Sequence, residues 1–201
     1  MIKRNLLVMG LAVLLSACGF QLRGTGTNQL AIKELDLSAR NAYGETVTQL
    51  RRVLEGSGVK VYTGAPYKLV LTNEQESQRI LSYAGASSTG EYQLTTVLNY
   101  DIRGRGDLPL LSDKLEVQKV FMHDGSNLVG SDQEAATARA EGRREMVQRM
   151  MLRLEQLTPG QLDQLQQTAE AKAKADAAAL EAAQKAEADT PRQSPVELPQ
   201  Q

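Results

Sequence analysis

The clearest pattern along the chain is a regular alternation of inward and outward positions over 91–103. Side chains of a β-strand point to opposite faces in turn, so a pattern with a period of two predicts a half-buried strand. The positions that share the predicted inner face are Tyr92, Leu94, Thr96, Leu98, Tyr100 and Ile102.

Shorter stretches predict the other strands of the same sheet. A weak alternation over 31–37 predicts a first strand, 59–62 is rich in β-forming residues, and 67–72 alternates clearly. A connection with Gly and Pro, 104–112, leads to a further alternating stretch, 114–122. Because the connection is short, we expect 114–122 to form an antiparallel hairpin with the strand over 91–103.

Two stretches repeat apolar residues every three or four positions, which aligns them on one side of a helix. The first helix is predicted to end at Gly56 and Gly58, because glycine accepts the left-handed geometry of a helix end. Its stripe consists of Tyr43, Val47, Leu50 and Leu54. The second helix is predicted to begin at a capping box, 131–134, and to run to about Leu157. Its stripe consists of Ala135, Ala138, Gly142, Met146, Met150 and Leu154, widened by Val147 and Met151.

Helices with one apolar stripe and a sheet with one apolar face can bury each other's apolar surface. The pattern therefore predicts an α+β two-layer sandwich, in which two helices pack on one face of a mixed or antiparallel sheet of about four strands. The folded domain is predicted over 31–160. From residue 161 the chain is rich in Ala, Gln, Glu and Lys, and we expect a mostly disordered tail over 161–201. A coiled-coil partner helix is the alternative for the tail, although no heptad persists.

The N-terminus has the features of a bacterial lipoprotein signal peptide, predicted over 1–17. Basic residues at the start precede a short apolar run, and Leu-Ser-Ala-Cys ends it as a lipobox at Cys18. We expect Cys18 to carry an N-palmitoyl group and an S-diacylglycerol, with 18–30 as the acylated tether. The alternatives are a signal-anchor helix and a secreted protein with a free thiol. Because Gly19 is not the Asp typical of inner-membrane retention, we expect the outer membrane.

Composition narrows the function further. Cys18 is the only cysteine, so no internal disulfide can form and the fold depends on burial. The formal net charge is −1, which predicts no nucleic-acid partner. The only histidine, His123, stands beside Asp124 in a predicted exposed turn, and no nucleophile motif accompanies it. We therefore expect no enzyme activity, no metal site and no cofactor besides the covalent lipid on Cys18.

The segment 18–24 reads Cys-Gly-Phe-Gln-Leu-Arg-Gly. It resembles the mature N-terminus of the lipopolysaccharide-assembly lipoproteins of the LptE family. Two further stretches also resemble that family: 82–100, a loop of small residues that leads into the long strand, and 143–146 in the last helix. The resemblance covers roughly 18–157.

The resemblance implies a Gram-negative outer-membrane lipoprotein that faces the periplasm. Such a protein has two helices on a four-stranded sheet and lodges as a plug within a large β-barrel, LptD. Together the two proteins place lipopolysaccharide in the outer leaflet, and the lipoprotein also helps its barrel to fold and binds lipopolysaccharide itself. A generic envelope lipoprotein, such as a pilot or scaffold for another outer-membrane complex, is the alternative.

The resemblance also implies basic side chains near the loop 82–90 for the phosphates of lipid A. The loop itself contains no Lys or Arg. Our candidate lipopolysaccharide contacts are therefore Arg79 before the loop, Arg103 and Arg105 at the far end of the long strand, and Lys119. A guanidinium can bind phosphate through two parallel hydrogen bonds. The alternative is that all four are solvated surface charges.

Overall fold

The computed structural model describes residues 30–42, 44–83 and 89–189. Its elements are β1 (Glu34–Ala39), α1 (Glu45–Gly56), β2 (Lys60–Val61), β3 (Lys68–Tyr83), β4 (Thr89–Arg103), β5 (Pro109–Asp124), α2 (Leu128–Glu155) and α3 (Pro159–Asp189), with a 3-10 turn at Arg105–Asp107. The predicted signal peptide, Cys18 and most of the tether lie outside the described residues. Within the described ranges, no helix combines the length and apolarity that a membrane crossing requires.

The strands form one mixed sheet in the order β2-β1-β3-β4-β5. β1 is parallel to both of its neighbours, β2 and β3, whereas β3, β4 and β5 are antiparallel to one another. The sheet thus has five strands, one more than the sequence predicted. The fifth strand is β2, which lies within the β-rich stretch 59–62, has only two residues and adds a short edge next to β1.

Both α1 and α2 pack on one face of this sheet, which confirms the predicted α+β two-layer sandwich. The buried core contains residues from each helix and from the facing strands: Val47, Leu50 and Leu54 of α1, Met146, Met150 and Leu154 of α2, and Leu69, Leu98, Tyr100 and Ile102 of the sheet. These are the stripes that the sequence predicted, apart from Tyr43, which lies outside the described residues. With no disulfide available, this burial is what holds the layers together.

Small residues let the first half of α2 approach the sheet closely. Ala135 and Ala138 are buried beside Leu94 and Phe121 in a separate, smaller apolar cluster. One turn further on, a Cβ at Gly142 would lie only 3.6 Å from Lys119 Cγ. The larger methionines and Leu154 fill the space under the second half of the helix.

β3 is much longer than its apolar alternation predicted. The alternation ends near residue 72, yet the strand continues through Tyr83 and pairs with β4 as far as Gly90. Its second half reads Asn-Glu-Gln-Glu-Ser-Gln-Arg and is exposed, so no buried face leaves an apolar period in the sequence. Pairing with β4, rather than burial, makes this half a strand.

The start of α2 also differs from the prediction. The helix begins at Leu128 and is capped by Asn127, whose Oδ1 accepts a hydrogen bond from the Gly130 N–H at 3.1 Å. The predicted capping residues instead hold α2 to the end of β5. Ser131 Oγ accepts a hydrogen bond from the Asp124 N–H at 2.7 Å, and Glu134 Oε2 accepts one from the Met122 N–H at 3.1 Å.

The segment predicted to be mostly disordered contains a helix, α3, which runs from Pro159 to Asp189. Alanine has the highest helix propensity, and pairs such as Glu170 with Lys174 stand one turn apart with opposite charge. Its side chains from Glu170 to Ala188 are exposed. The prediction that this segment is exposed holds for most of α3. The prediction that it is disordered is wrong over 161–189, which is helical, and 190–201 lies outside the described residues.

The first turns of α3 dock on the domain. Leu162 is buried in the main core, with 1% of its surface exposed. Gln166 makes two hydrogen bonds to one residue, accepting from the Arg105 N–H at 3.1 Å and donating to the Arg105 carbonyl at 3.2 Å. The neighbouring Gly104 makes room for these bonds, because a Cβ there would overlap Gln166 Oε1 and displace the glutamine side chain. The docked turns extend the domain beyond the predicted boundary at 160.

We expect Leu162→Ala to lower the free energy of unfolding by about 2–4 kcal/mol, because it leaves a cavity in the core. Leu180→Ala, in the same helix but 61% exposed, is the matched control and should stay within about 0.5 kcal/mol of the parent. Urea unfolding followed by circular dichroism measures both. Equal stability of the two variants would show that α3 does not dock.

Candidate functional site

One face of the sheet is covered by helices, and no helix of the described chain covers the other. We call the second the open face, meaning the side of β3, β4 and β5 that points away from α1 and α2. Odd-numbered residues of β4 and even-numbered residues of β5 lie on this face, because their alternate neighbours are buried under the helices. The four predicted contact residues divide between the two faces and between the two ends of the sheet.

Arg79 lies on the open face, in register with Gln93 of β4. Its Nε and Nη2 both donate to Gln93 Oε1, at 3.0 and 2.7 Å. Gln93 Nε2 in turn donates to Gln118 Oε1 of β5, and Gln118 Nε2 donates to Glu116 Oε1 at 2.7 Å. Arg79, Gln93 and Gln118 thus form a hydrogen-bonded row across three strands, which we call the amide row.

Gln93 and Gln118 are the residues of the amide row that the sequence did not single out, and Gln93 is the buried one. The alternation of β4 predicts an exposed position for Gln93, and it does lie on the open face, yet only 5% of its surface is exposed. Its neighbours on the flanking strands cover it, and the bonds to Arg79 and Gln118 satisfy its amide. The alternation along a strand predicts which face of the sheet a residue lies on. Whether side chains of the neighbouring strands bury that residue depends on the pairing register, so no signal in the sequence indicated the burial of Gln93.

The partner of Arg79 is neutral, so its positive charge is not cancelled. No carboxylate among the described residues forms an ion pair with it, and its Nη1 has no hydrogen-bond partner there. The buried amide of Gln93 fixes the guanidinium while one nitrogen remains for an external anion. This arrangement can bind a phosphate or carboxylate oxygen.

Lys119 lies on the opposite face, under α2. Its Nζ is 2.7 Å from Glu145 Oε2, and Arg149 Nη2 is 2.6 Å from the other oxygen of the same carboxylate. The hydrogen bond from Lys119 is the main cause that lowers the pKa of Glu145, with Arg149 adding to it against the effect of burial. Lys119 therefore joins helix to sheet, and its charge is already compensated.

Arg103 is the last residue of β4 and forms an ion pair with two carboxylates. Its Nη1 is 2.8 Å from Asp107 Oδ2 and its Nη2 is 3.2 Å from Asp101 Oδ2. Hydrogen bonds to Asp107 and then to Asp101 raise the pKa of Arg103, and the same bond from Arg103 lowers the pKa of Asp107. Lys68 also reaches Asp107, at 3.7 Å. This cluster is neutralised internally.

Arg105 stands in the 3-10 turn after β4, and its side chain is exposed. Its backbone is held by Gln166 of α3, and none of the ion pairs among the described residues includes its guanidinium. Arg105 is therefore the second of the four candidates whose charge is available.

The structure does not bring the four candidates together. Arg79 and Lys119 lie at a similar height on opposite faces, whereas Arg103 and Arg105 lie about 33 Å away along β4, at roughly 3.3 Å per residue. Arg79 has the uncompensated charge and the fixed geometry that a binding residue needs. Arg105 has the charge without the supporting side-chain contacts.

His123 does not lie in an exposed turn, as the sequence predicted. His123 lies within β5, is half-buried, and its ring centroid is 5.1 Å from that of Tyr92. Tyr92 also contacts Phe121, at 5.8 Å. The histidine is therefore part of an aromatic cluster at one end of the sheet. Among the described residues, no group of three or more His, Cys, Asp or Glu side chains could hold a metal ion.

Comparison with known proteins gives a family. A family model described as "LptE: Lipopolysaccharide-assembly" matches residues 32–154. The LPS-assembly lipoprotein LptE of Pectobacterium atrosepticum is 30% identical over 154 residues, which covers 74% of this chain and 83% of that protein. The protein of the same name from Yersinia enterocolitica is 28% identical over 156 residues, covering 74% of each.

Solved structures show the same fold at lower identity. The rare lipoprotein B of Shewanella oneidensis is similar with a TM-score of 0.52 and 21% identity, over 60% of this chain and 91% of that one. A minor lipoprotein of Acinetobacter baumannii is similar with a TM-score of 0.53 and 16% identity, over 61% of this chain and 90% of that one. At this identity the likeness establishes the sandwich alone.

The contact of Lys119 with Glu145 predicts a defined pH dependence of stability. A carboxylate whose pKa is lowered in the fold stabilises it above the ordinary value of 4.5, and this contribution is lost as the pH falls further. We expect Glu145→Gln to cost about 0.5–1 kcal/mol at pH 7, because the pair is partly exposed, and to cost less at pH 3, where the carboxylate of the parent is increasingly protonated. Glu141→Gln, an exposed position of the same helix, is the control and should change neither value. Urea unfolding at the two pH values measures the difference. The same loss at both would contradict the pairing.

Proposed function

Since the chain belongs to the LptE family of lipopolysaccharide-assembly lipoproteins, we propose that it is the lipid-anchored subunit of an outer-membrane lipopolysaccharide transport complex. In this role it lodges as a plug within a large β-barrel of the LptD type, helps that barrel to assemble, and contacts lipopolysaccharide without catalysing a reaction. The observation that carries the proposal is the family match itself. It spans the sandwich from before β1 to Leu154, the last buried residue of α2.

The open face supports a place inside a barrel. Most of its central residues are uncharged and polar: Asn73, Gln75, Ser77, Gln93, Thr95, Asn99 and Gln118. The interior of a large outer-membrane barrel is polar, so a surface of this kind can contact it through hydrogen bonds. A near-zero net charge avoids repulsion from a lumen of either sign.

The direction of the strands supports a separation between anchor and ligand contact. β1 is parallel to β3, so the chain enters the sandwich from Leu30 at the end where β3 begins. Arg79 lies eleven positions further along β3, about 36 Å away at roughly 3.3 Å per residue. Arg79 therefore lies towards the end of the sandwich opposite to the one at which the chain from the anchor enters. A ligand that passes through the barrel could meet it there.

Within the proposed function, Arg79 is the first candidate contact for a lipid A phosphate. Its charge is uncompensated and Gln93 fixes its orientation. Arg105 is the second candidate. Arg103 and Lys119 would first have to give up the carboxylates that they already hold, which makes them weaker candidates.

Affinity purification of the tagged full chain from detergent-solubilised membranes tests the function. We expect a large β-barrel to co-purify. The measured mass of the purified chain should correspond to a protein that begins at Cys18 and carries three acyl chains. Depletion of the protein should reduce lipopolysaccharide at the cell surface. Recovery of a secretin or a peptidoglycan enzyme instead of the barrel, with surface lipopolysaccharide unchanged, would favour the alternative of a generic envelope lipoprotein.

Binding of lipid A to two matched variants tests the residue assignment. Arg79→Gln keeps a polar side chain on the open face and removes the charge, so we expect about tenfold weaker binding, equivalent to about 1.4 kcal/mol. Lys119→Met keeps the apolar stem under α2 and should leave the affinity within about twofold. A loss of affinity in Lys119→Met alone would reverse the assignment.

A further inference from the structure

Among the described residues, the outer edge of β3 has no neighbouring strand over its second half. β1 ends at Ala39, which pairs with Leu71, and the last backbone bond on this side joins the Arg40 N–H to the Leu71 carbonyl. Beyond this point β3 continues to Tyr83 with β4 on one side only. A long edge of this kind presents a row of backbone donors and acceptors.

Side chains of α2 identify which residues of β5 direct their backbone groups outward. Arg149 Nη1 donates to the Glu116 carbonyl at 2.6 Å, while the N–H groups of Met122 and Asp124 donate to side chains of α2. The N–H and C=O of one residue in an antiparallel strand point to the same side, and the side alternates along the strand. The even-numbered residues of β5 therefore point outward and the odd-numbered ones point to β4.

The pairing register then gives the direction of the backbone N–H and C=O groups of β3. Odd residues of β5 pair with even residues of β4, such as Val117 with Thr96, so the odd residues of β4 direct their backbone groups to β3. Their partners there are Asn73, Gln75, Ser77 and Arg79. The β3 residues that point outward are consequently Glu74, Glu76, Gln78 and Ile80. The irregularity between Leu71 and Asn73 explains why Leu71, an odd residue, still points outward to β1.

The outward backbone groups of β5 and of the second half of β3 thus differ in whether they have hydrogen-bond partners. On β5, side chains of α2 occupy outward backbone groups at Glu116, Met122 and Asp124. Over the described residues, neither a strand nor a side chain bonds the outward backbone groups of β3 from Glu74 to Ile80. Side chains of α2 therefore obstruct pairing with another chain along part of the β5 edge, whereas no described side chain does so along this stretch of β3.

We propose that the outer edge of β3 from Glu74 to Ile80 binds an extended strand of the barrel partner by β-sheet pairing. This inference rests on the proposed function for the identity of the partner. The edge itself specifies a polypeptide, because alternating N–H and C=O groups at strand spacing are matched by the backbone of another strand. Irregularities near Thr72 and Leu81 bound the edge, so the partner strand is short.

The charges on β3 favour a different chain over a second copy of this one. Glu74 and Glu76 point to the helix side of the sheet, whereas Arg79 points to the open face. Two copies paired antiparallel across this edge would form one continuous sheet that keeps its faces. The glutamates of one copy would then never stand opposite Arg79 of the other. Self-pairing therefore adds no pair of opposite charges across the edge. Arg139 Nε already lies 2.8 Å from Glu76 Oε1, and Thr46 Oγ1 donates a hydrogen bond to Glu74 Oε1 at 2.7 Å, so a barrel strand need only place polar residues beside the two glutamates.

Proline at an outward position removes one edge donor and leaves the bonds to β4 in place. We therefore expect Gln78→Pro to reduce the amount of barrel that co-purifies with the full chain by about tenfold. Val120→Pro is the matched control, because Val120 is an exposed, outward-pointing position on the β5 edge. It should change recovery by less than about twofold, and both variants should unfold within a few degrees of each other.

Hydrogen exchange of the unmutated chain gives a second measurement that does not depend on how a variant folds. In the complex with the barrel, we expect exchange to slow at the amides of Glu74, Glu76, Gln78 and Ile80. The alternate amides are already bonded to β4 and should change little. Burial by side-chain contact alone would slow exchange without this alternation, and that result would overturn the proposal.

The possible outcomes distinguish failure of the strand pairing at the β3 edge from failure of the proposed function. If the unmutated chain recovers the barrel and Gln78→Pro recovers as much, the strand pairing is wrong while the proposed function stands. If the unmutated chain recovers no barrel, the proposed function fails and this inference fails with it. If the chain forms a dimer that Gln78→Pro disrupts, the occupant is a second copy and the barrel assignment is overturned.

Discussion

β4 supplies the row of side chains against which the rest of the domain packs. Leu98, Tyr100 and Ile102 lie under both helices, and Leu94 holds the first half of α2. Because the chain has one cysteine and no internal disulfide, the burial of this row is the main source of stability. β3 and β5 are positioned by their pairing with this strand, so the other elements take their places relative to it.

One-sided burial leaves the opposite face to hydrogen-bonding chemistry. The amide row exists because Gln93 stands between two strands whose side chains cover it. It leaves Arg79 fixed, charged and accessible, while Lys119 is paired under α2. Two cations at the same height of the sheet thus have different roles, and the face on which each lies decides which one can meet an external anion.

Edges and ends carry the remaining distinctive features. α2 covers one face of the sheet and also occupies backbone groups of the β5 edge, whereas β1 is too short to cover the second half of β3. At the other end of the sheet, Leu162 and Gln166 attach α3 to the turn after β4. The domain therefore combines a core of ordinary composition with two extensions, the edge of β3 and the exposed part of α3, that no other part of the described chain covers.

The sequence by itself determined the elements with one buried face. The period of two in β4 and the stripes of α1 and α2 predicted the two-layer sandwich, because burial on one side leaves a period in the sequence. Only the tertiary structure decided the second half of β3, the docking of α3, and the partners of Arg79 and Lys119. These depend on pairing register and on contacts between residues far apart in the chain, such as Gln166 with Arg105, which local patterns do not record.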